Sequence, residues 1–419
     1  MKVIREWDSL REVMVHTPGT EIDYAMLAPK PFLFERPFNT EKARKEHLAL
    51  IRTLGESGVK VHVLRDLVVN TADRNPEFRK RLEDEVISTV KFYGNMERVQ
   101  ESTQEFRKNI TYLDSSTLFN TLTLDPSVDL KEDEANNLAY PRIYSNVPLA
   151  NLYFMRDQQA VGGNGVFIGN MKRNQRKGET GLTEFVFRKL FGTNNVRKAS
   201  PGSIFEGGDF MPAGEFSLIG TGTRTTEAGA LEMIKSGIVE SDEIGVVKNP
   251  LYDFMDLDEK RDPMVNMHLD TYFNIAGDGV TVGSEELMRK AKLSIYSREG
   301  EKIEDNLNLY EYLKKKGFSN INLGVSEQMS YSSNFLTLRD KLIVNVNVGQ
   351  VLKRLLNGDV FSGPLLQAVR KDLDSIGPNN LFPHSRTVRD FGVENIEVNL
   401  SELTGGYGGA HCMTAALIR

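Results

Sequence analysis

The chain has one cysteine, Cys412, in 419 residues. No intrachain disulfide can form, so nothing points to an oxidising compartment, and a structural zinc site built on cysteines is excluded. Long apolar runs are also missing: nothing approaches the ~18 residues that a membrane helix needs. The N-terminus, MKVIREWDSLREV, carries charges where a secretory signal needs an apolar stretch, so the cytoplasm is the expected location. There is no basic run either. Fifty-two Lys and Arg against 58 Asp and Glu leave a net charge of −6, a poor match for nucleic acid or an anionic membrane surface. What is present is a 40% hydrophobic share, ample for a core and too high for a disordered chain. At about 150 residues per domain the length allows two or three domains, or one large α/β body.

The pattern along the chain is mixed α/β. Residues 10–17 (LREVMVHT) read as a strand closed by Pro18-Gly19. Ala43, His47, Leu48 and Ile51 recur at helical spacing after Thr40, and Gly55 and Gly58 stop that helix. VKVHVL (59–64) alternates like a strand. Residues 66–135 read as an inserted helical module: Asn75-Pro76 is a helix start, followed by Phe78, Leu82 and Val86 on one face. Residues 1–65 and 136–419 then form the main α/β domain. From Asn151 a crude repeat emerges, in which a hairpin leads into a helix. The hairpins are AVGGNGVFIGN (160–170), DFMPAGEFSLIG (209–220), TYFNIAGDGVTVG (271–283) and FLTLRDKLIVNVN (335–347), with Gly, Asn or Asp at their tips. The spacing is too uneven for a solenoid and suits a closed ring of similar units better.

Polar residues cluster beside these hairpins. MHLDT (267–271) reads as a strand whose His268 and Asp270, two apart, project together. EGGD (206–209) places Glu206 before a Gly-Gly turn that lets backbone and ligand approach closely. NLYFMRD (151–157) reads as an apolar strand ending in Arg156-Asp157. GGYGGAHCM (405–413) has four glycines and leads to Cys412. Each alone has a structural explanation: a hydrogen-bonded histidine, a plain turn, an exposed ion pair, a buried thiol. Together they occupy the same relative place in a repeated unit, so a ring would bring Cys, His, Glu and two Asp into one pocket. One Cys, one His and acids at unrelated spacings match no zinc pattern.

A thiol and an imidazole suggest nucleophilic catalysis. Acyl transfer has no use for two further aspartates, which would repel an oxyanion. Carboxylates suit a cation instead. A guanidinium stays charged at any relevant pH and offers paired N–H donors that carboxylates accept. Attack on its central carbon gives an adduct whose nitrogens are cationic or neutral, so the acids help throughout.

At these residues the chain resembles arginine deiminases, members of the guanidino-modifying pentein superfamily. The resemblance spans nearly the whole length and rests on VMVHTPG with the following EID, NLYFMRD, EGGD, GTGTRT (220–225), MHLDT and the terminal Gly-rich loop with HCM. The helical insertion at 66–135 also looks like theirs. It implies a five-bladed α/β propeller, a fan of ββαβ-type units around a central pocket. It implies L-arginine plus water giving L-citrulline and ammonia without a cofactor, a small-molecule substrate, and a homo-oligomer. By motif, Cys412 is the nucleophile, His268 the acid and base, Asp157 and Asp270 the guanidinium grip, and Glu206 a neighbour of guanidinium and histidine. Arg224 matches an arginine for the substrate carboxylate, Arg176 a second such arginine, and Asn151 a residue near the amino-acid end.

Three segments depart from the family's usual pattern: RKGET (176–180), FLFERP (32–37) and Tyr407. All concern the α-amino-acid end of the pocket or its cover. Alternatives are a hydrolase or amidinotransferase for agmatine, a methylated arginine or another guanidino compound, and a non-catalytic arginine-binding protein. A thiol protease or transglutaminase is disfavoured by the surplus carboxylates.

Overall fold

The computed structural model describes residues 1–133, 138–255, 267–358 and 360–419. Hairpins form where the glycine, asparagine and aspartate tips call for them. Gln159–Gly162 pairs antiparallel with Gly165–Ile168, Phe210–Ala213 with Phe216–Thr221, Phe273–Gly277 with Val280–Gly283, and Leu336–Arg339 with Leu342–Val346. In each case the second hairpin strand then pairs in parallel with a later one: Val196–Lys198, Glu243–Lys248, Ser319–Asn322 and Glu394–Val398. Helices occupy these parallel crossovers, as the connection requires. Asn347 and Ser284 cap two of them by accepting from Gln350 N and Leu287 N.

A fifth sheet has the same pairing with a different connectivity. Glu12–Val15 pairs in parallel with Lys60–Val63 and antiparallel with the last strand, Ala415–Ile418. The first and last strands of the chain are therefore neighbours, with the helix Thr40–Glu56 as crossover. The sheet around Phe216–Thr221 is extended by Lys292–Ser297 and Lys302–Asn308.

Residues 64–145 differ. Helices Leu64–Arg74, Pro76–Thr89, Met96–Asn109 and Ser115–Leu124 follow one another. Asn75 accepts from Glu77 N and Phe78 N, capping the helix that Pro76 opens. Two strands, Lys91–Tyr93 and Pro126–Asp133, also lie within the stretch read as helical, and pair into a sheet with Leu138–Ser145. A three-residue strand is too short to show an alternation, and charges interrupt the longer ones. The expected boundary at residue 135 lies outside the described residues. No described helix is long and apolar enough to cross a membrane.

Candidate active site

All eight residues singled out in the sequence converge. Asn151, Asp157, Arg176, Arg224, His268 and Cys412 line one cavity with Leu33, Phe154, Met267, Gly406 and Tyr407. Glu206 touches His268 and Arg224, and Asp270 touches Cys412. Seven come from loops or short 3-10 turns beside the hairpin strands, and Cys412 comes from the loop before the last strand, Ala415–Ile418.

Two segments depart from their expected backbone. NLYFMRD is a run of turns, not a strand, anchored by Arg156 N donating to Cys412 O at 3.0 Å. MHLDT is not a strand either. His268 is extended, but Leu269–Thr271 forms a 3-10 turn. His268 and Asp270 therefore diverge: the imidazole meets Glu206, and the carboxylate meets Cys412. Asp209 Oδ1 holds this turn by accepting from Leu269 N at 2.9 Å.

The imidazole is enclosed by acids. His268 Nε2 lies 2.9 Å from Glu206 Oε2, and Nδ1 lies 3.7 Å from Asp157 Oδ1. A Cβ on Gly208 would sit 2.7 Å from Nδ1, so only glycine leaves room for the ring. Burial pulls the histidine pKa down, yet Asp157, Glu206 and Asp209 overcome it and raise it to about 9. His268 is thus an imidazolium at neutral pH. Burial also opposes the charge on Glu206, but Arg224, His268 and Arg176 hold that carboxyl well below the usual range.

The thiol side is different. Cys412 Sγ lies 3.5 Å from Asp270 Oδ2, while Asn334 Nδ2 donates to it at 3.1 Å. Burial and the charges of Asp270 and Asp157 push the thiol well above its ordinary pKa. At rest the pair is a neutral thiol and a charged imidazole. Asp157 Oδ1, Asp270 Oδ1 and His268 Nδ1 are buried with no hydrogen-bond partner among the described residues. Two unpaired carboxylate oxygens in one buried pocket suit a ligand rich in N–H donors.

Arg176, expected at a substrate carboxylate, is bonded to two carboxylates of the protein itself. Its Nη1 donates to Asp157 Oδ2 at 2.6 Å, and its Nε and Nη2 meet Glu179 at 2.9–3.2 Å. The free space in the cavity is only about 10 Å³, room for about one water. The segment carrying Leu33 covers it. Gln175 Nε2 donates to Pro31 O at 2.7 Å, Asn151 Nδ2 to Phe32 O at 2.9 Å, and Glu35 N to Gly405 O at 2.8 Å.

Four participants went unread in the sequence. His411, inside the HCM motif, donates from Nδ1 to Asp270 Oδ2 at 2.7 Å, so the site holds two imidazoles and not one. Behind it Glu6 binds Arg156 and Arg419 at 3.2 and 3.1 Å. Glu179 stands three residues after Arg176 in RKGET, a helical spacing that could have been noticed. Asn334 gave no signal. Among the described residues no group of three or more His, Cys, Asp or Glu is arranged to hold a metal ion.

The profile of the arginine deiminase family matches residues 30–419. The chain belongs to the arginine deiminase family. It is accordingly a hydrolase that acts on arginine. An arginine deiminase of Halobacterium salinarum is 26% identical over 99% of this chain and 96% of its own length. One of Streptococcus pneumoniae is 25% identical over 99% and 97%. Among solved structures, an amidinotransferase of saxitoxin biosynthesis from Microseira wollei superposes with a TM-score of 0.51 at 14% identity, covering 100% of this chain and 97% of the other. A dimethylarginine dimethylaminohydrolase gives 0.50 at 14%, covering 97% and 100%. These structures share the α/β fold.

Proposed function

We propose that this arginine deiminase family member converts L-arginine and water to L-citrulline and ammonia through an amidino-cysteine intermediate on Cys412. The observation that carries this reading is the pair of unsatisfied carboxylate oxygens, on Asp157 and Asp270, around a neutral thiol. A guanidinium supplies the missing donors, and its charge offsets the two acids that oppose a thiolate.

The chemistry follows from the protonation states. Sγ gives up its proton to a nearby base, Asp270 Oδ2 being 3.5 Å away, and attacks the central guanidinium carbon. The His268 imidazolium protonates a terminal nitrogen, which leaves as ammonia and gives the amidino-thioether. His268, now neutral, takes a proton from water. The hydroxide adds to the same carbon and the C–S bond breaks with its electron pair returning to sulfur; the hydroxyl proton of the adduct passes to the thiolate as citrulline departs, and the proton held by Asp270 leaves with ammonia as ammonium.

Arg224, and Arg176 once released from Asp157, meet the α-carboxylate; Asn151 serves the amino-acid end. Arginine cannot enter about 10 Å³, so binding displaces Arg176 from Asp157 and lifts the segment around Leu33. We read the five sheets with one shared pairing pattern as blades of a fan. The common position of the site residues beside the hairpins supports that reading, and residues 66–135 are then an insertion within the first unit. The test is to incubate purified protein with arginine, agmatine and methylated arginines and assay ammonia and ureido products. Wild-type protein that processes agmatine as fast as arginine would refute the carboxylate subsite, since a site built for a polar group rejects analogues lacking it by roughly 10⁴.

A further inference from the structure

Asn334 belongs to none of the motifs, yet its side chain touches more of the nucleophilic centre than any residue those motifs contain. It is buried, and it follows the turn before the hairpin strand Leu336–Arg339. Its Oδ1 accepts two backbone N–H groups, from Gly409 at 2.8 Å and from Cys412 at 3.1 Å. Those donors fix the orientation of the amide, because a flipped amide would set N–H against N–H. Nδ2 must then face the other way. It donates to the Asp270 carbonyl at 3.2 Å and to Cys412 Sγ at 3.1 Å. One amide thus joins the glycine-rich loop, the turn that carries Asp270, and the sulfur.

The charges around the sulfur make such a donor necessary. Asp270 and Asp157 both oppose a thiolate. The basic side chains nearby are already engaged: Arg176 with Asp157 and Glu179, Arg156 with Glu6, His268 with Glu206, His411 with Asp270. Tyr153, also close, is kept a neutral phenol by burial. Among the described residues, Asn334 is the hydrogen-bond donor that reaches Sγ.

We propose that Asn334 is a catalytic residue: its N–H holds the negative charge on Cys412 Sγ before attack, and again when the C–S bond breaks and the electron pair returns to sulfur. The proposal rests on the reading of Cys412 as nucleophile. The N–H stays on nitrogen throughout, so no proton or electron is consumed by it.

Because Cys412 is the sole cysteine, alkylation by iodoacetamide reports on it alone. The labelling rate is measured against pH for wild type and Asn334→Asp, which keeps the acceptor oxygen and the shape but turns an oxygen towards sulfur. The labelling midpoint should rise by at least one pH unit, so labelling below it slows about tenfold. In arginine turnover, kcat should fall about a hundredfold with KM within threefold. Should Asn334→Asp fail to fold, Asn334→Ser serves with the same expectation, because its hydroxyl is too short to reach the sulfur. A folded variant with an unchanged labelling midpoint overturns the proposal, even if turnover drops, because the loss would then be structural. If wild type neither turns over arginine nor forms the adduct, the functional reading fails separately, and the labelling profile still decides the role of Asn334.

Discussion

Two buried histidine clusters sit at strand ends of this molecule, and they are electrostatic opposites. At the first strand, His16 Nε2 lies 3.0 Å from Glu21 Oε1, and Thr17 Oγ1 lies 3.1 Å from His47 Nδ1. Among the described residues no carboxylate shifts His47; burial and the nearby His16 lower its pKa to about 3. At the cavity, His268 is equally buried, but three carboxylates raise it to about 9. Both rings are out of water. Neighbouring acids, not burial, decide which is a charged acid at neutral pH and which is an inert neutral ring. His16 lies in VMVHTPG and His268 in MHLDT, so both clusters include a motif that marks the family.

The contrast breaks most sharply at the nucleophile. Cys412→Ser should abolish turnover without unfolding the protein, since a hydroxyl has neither the nucleophilicity nor the accessible pKa of a thiol. Mass spectrometry of quenched wild-type reactions should show an amidino adduct on Cys412. Substantial turnover by the serine variant would rule out the covalent route.

Removing the two rings in parallel sharpens it next. His268→Gln should lose at least a hundredfold in kcat/KM, roughly 3 kcal/mol, because both proton transfers use that ring. Asp157→Asn and Asp270→Asn should lose as much, each leaving guanidinium donors facing an amide. His47→Gln should stay within a few fold of wild type. If His47→Gln were the more damaging to turnover, the division between a working and a structural cluster would collapse. The same acid predicts the alkaline limb: kcat/KM should fall as pH rises through about 9, where His268 loses its proton. A limb unchanged in Asp157→Asn, where that carboxylate no longer supports the imidazolium, would show that another group sets it.

How much of this was legible in the sequence depends on what carries each feature. The hairpins were legible because glycine and asparagine tips between apolar runs are local signals. The helix starts at Asn75-Pro76 and Ser284 were legible for the same reason. The strands Lys91–Tyr93 and Pro126–Asp133 were not, because a three-residue strand has no pattern of its own and charges interrupt the eight-residue one, so both are defined by their partners across the sheet. The side chains with nucleophilic or acidic chemistry could be named from residue type. Their backbone could not: MHLDT reads as a strand that would project His268 and Asp270 together, whereas a 3-10 turn over Leu269–Thr271 sends them to different partners. Asn334 and the pairing of Arg176 with Asp157 are long-range geometry, which one sequence does not encode at any fixed spacing.

The smallest expected effect concerns stability, and here the two clusters should differ in sign. His47 is held near 3 in the fold against about 6.5 in the unfolded chain. Its neutral, buried form favours folding above pH 6.5, and that contribution is lost as pH falls from 6.5 towards 3, because the unfolded chain then binds the proton first. His268, held at about 9, behaves the other way: its contribution is complete below pH 6.5 and is lost as pH rises through 9. Melting temperature against pH should therefore fall on both sides. Between pH 6.5 and 5 the His47 share is about 2 kcal/mol, which at 419 residues is a shift of a few degrees or less. His47→Gln carries no titrating ring, so its acid limb should flatten while its alkaline limb stays. His268→Gln should flatten the alkaline limb alone. Should His47→Gln leave the acid limb as steep as in wild type, acid sensitivity lies with the buried carboxylates, Glu21 among them, whose pKa His16 and the Gly19 N–H lower against the pull of burial.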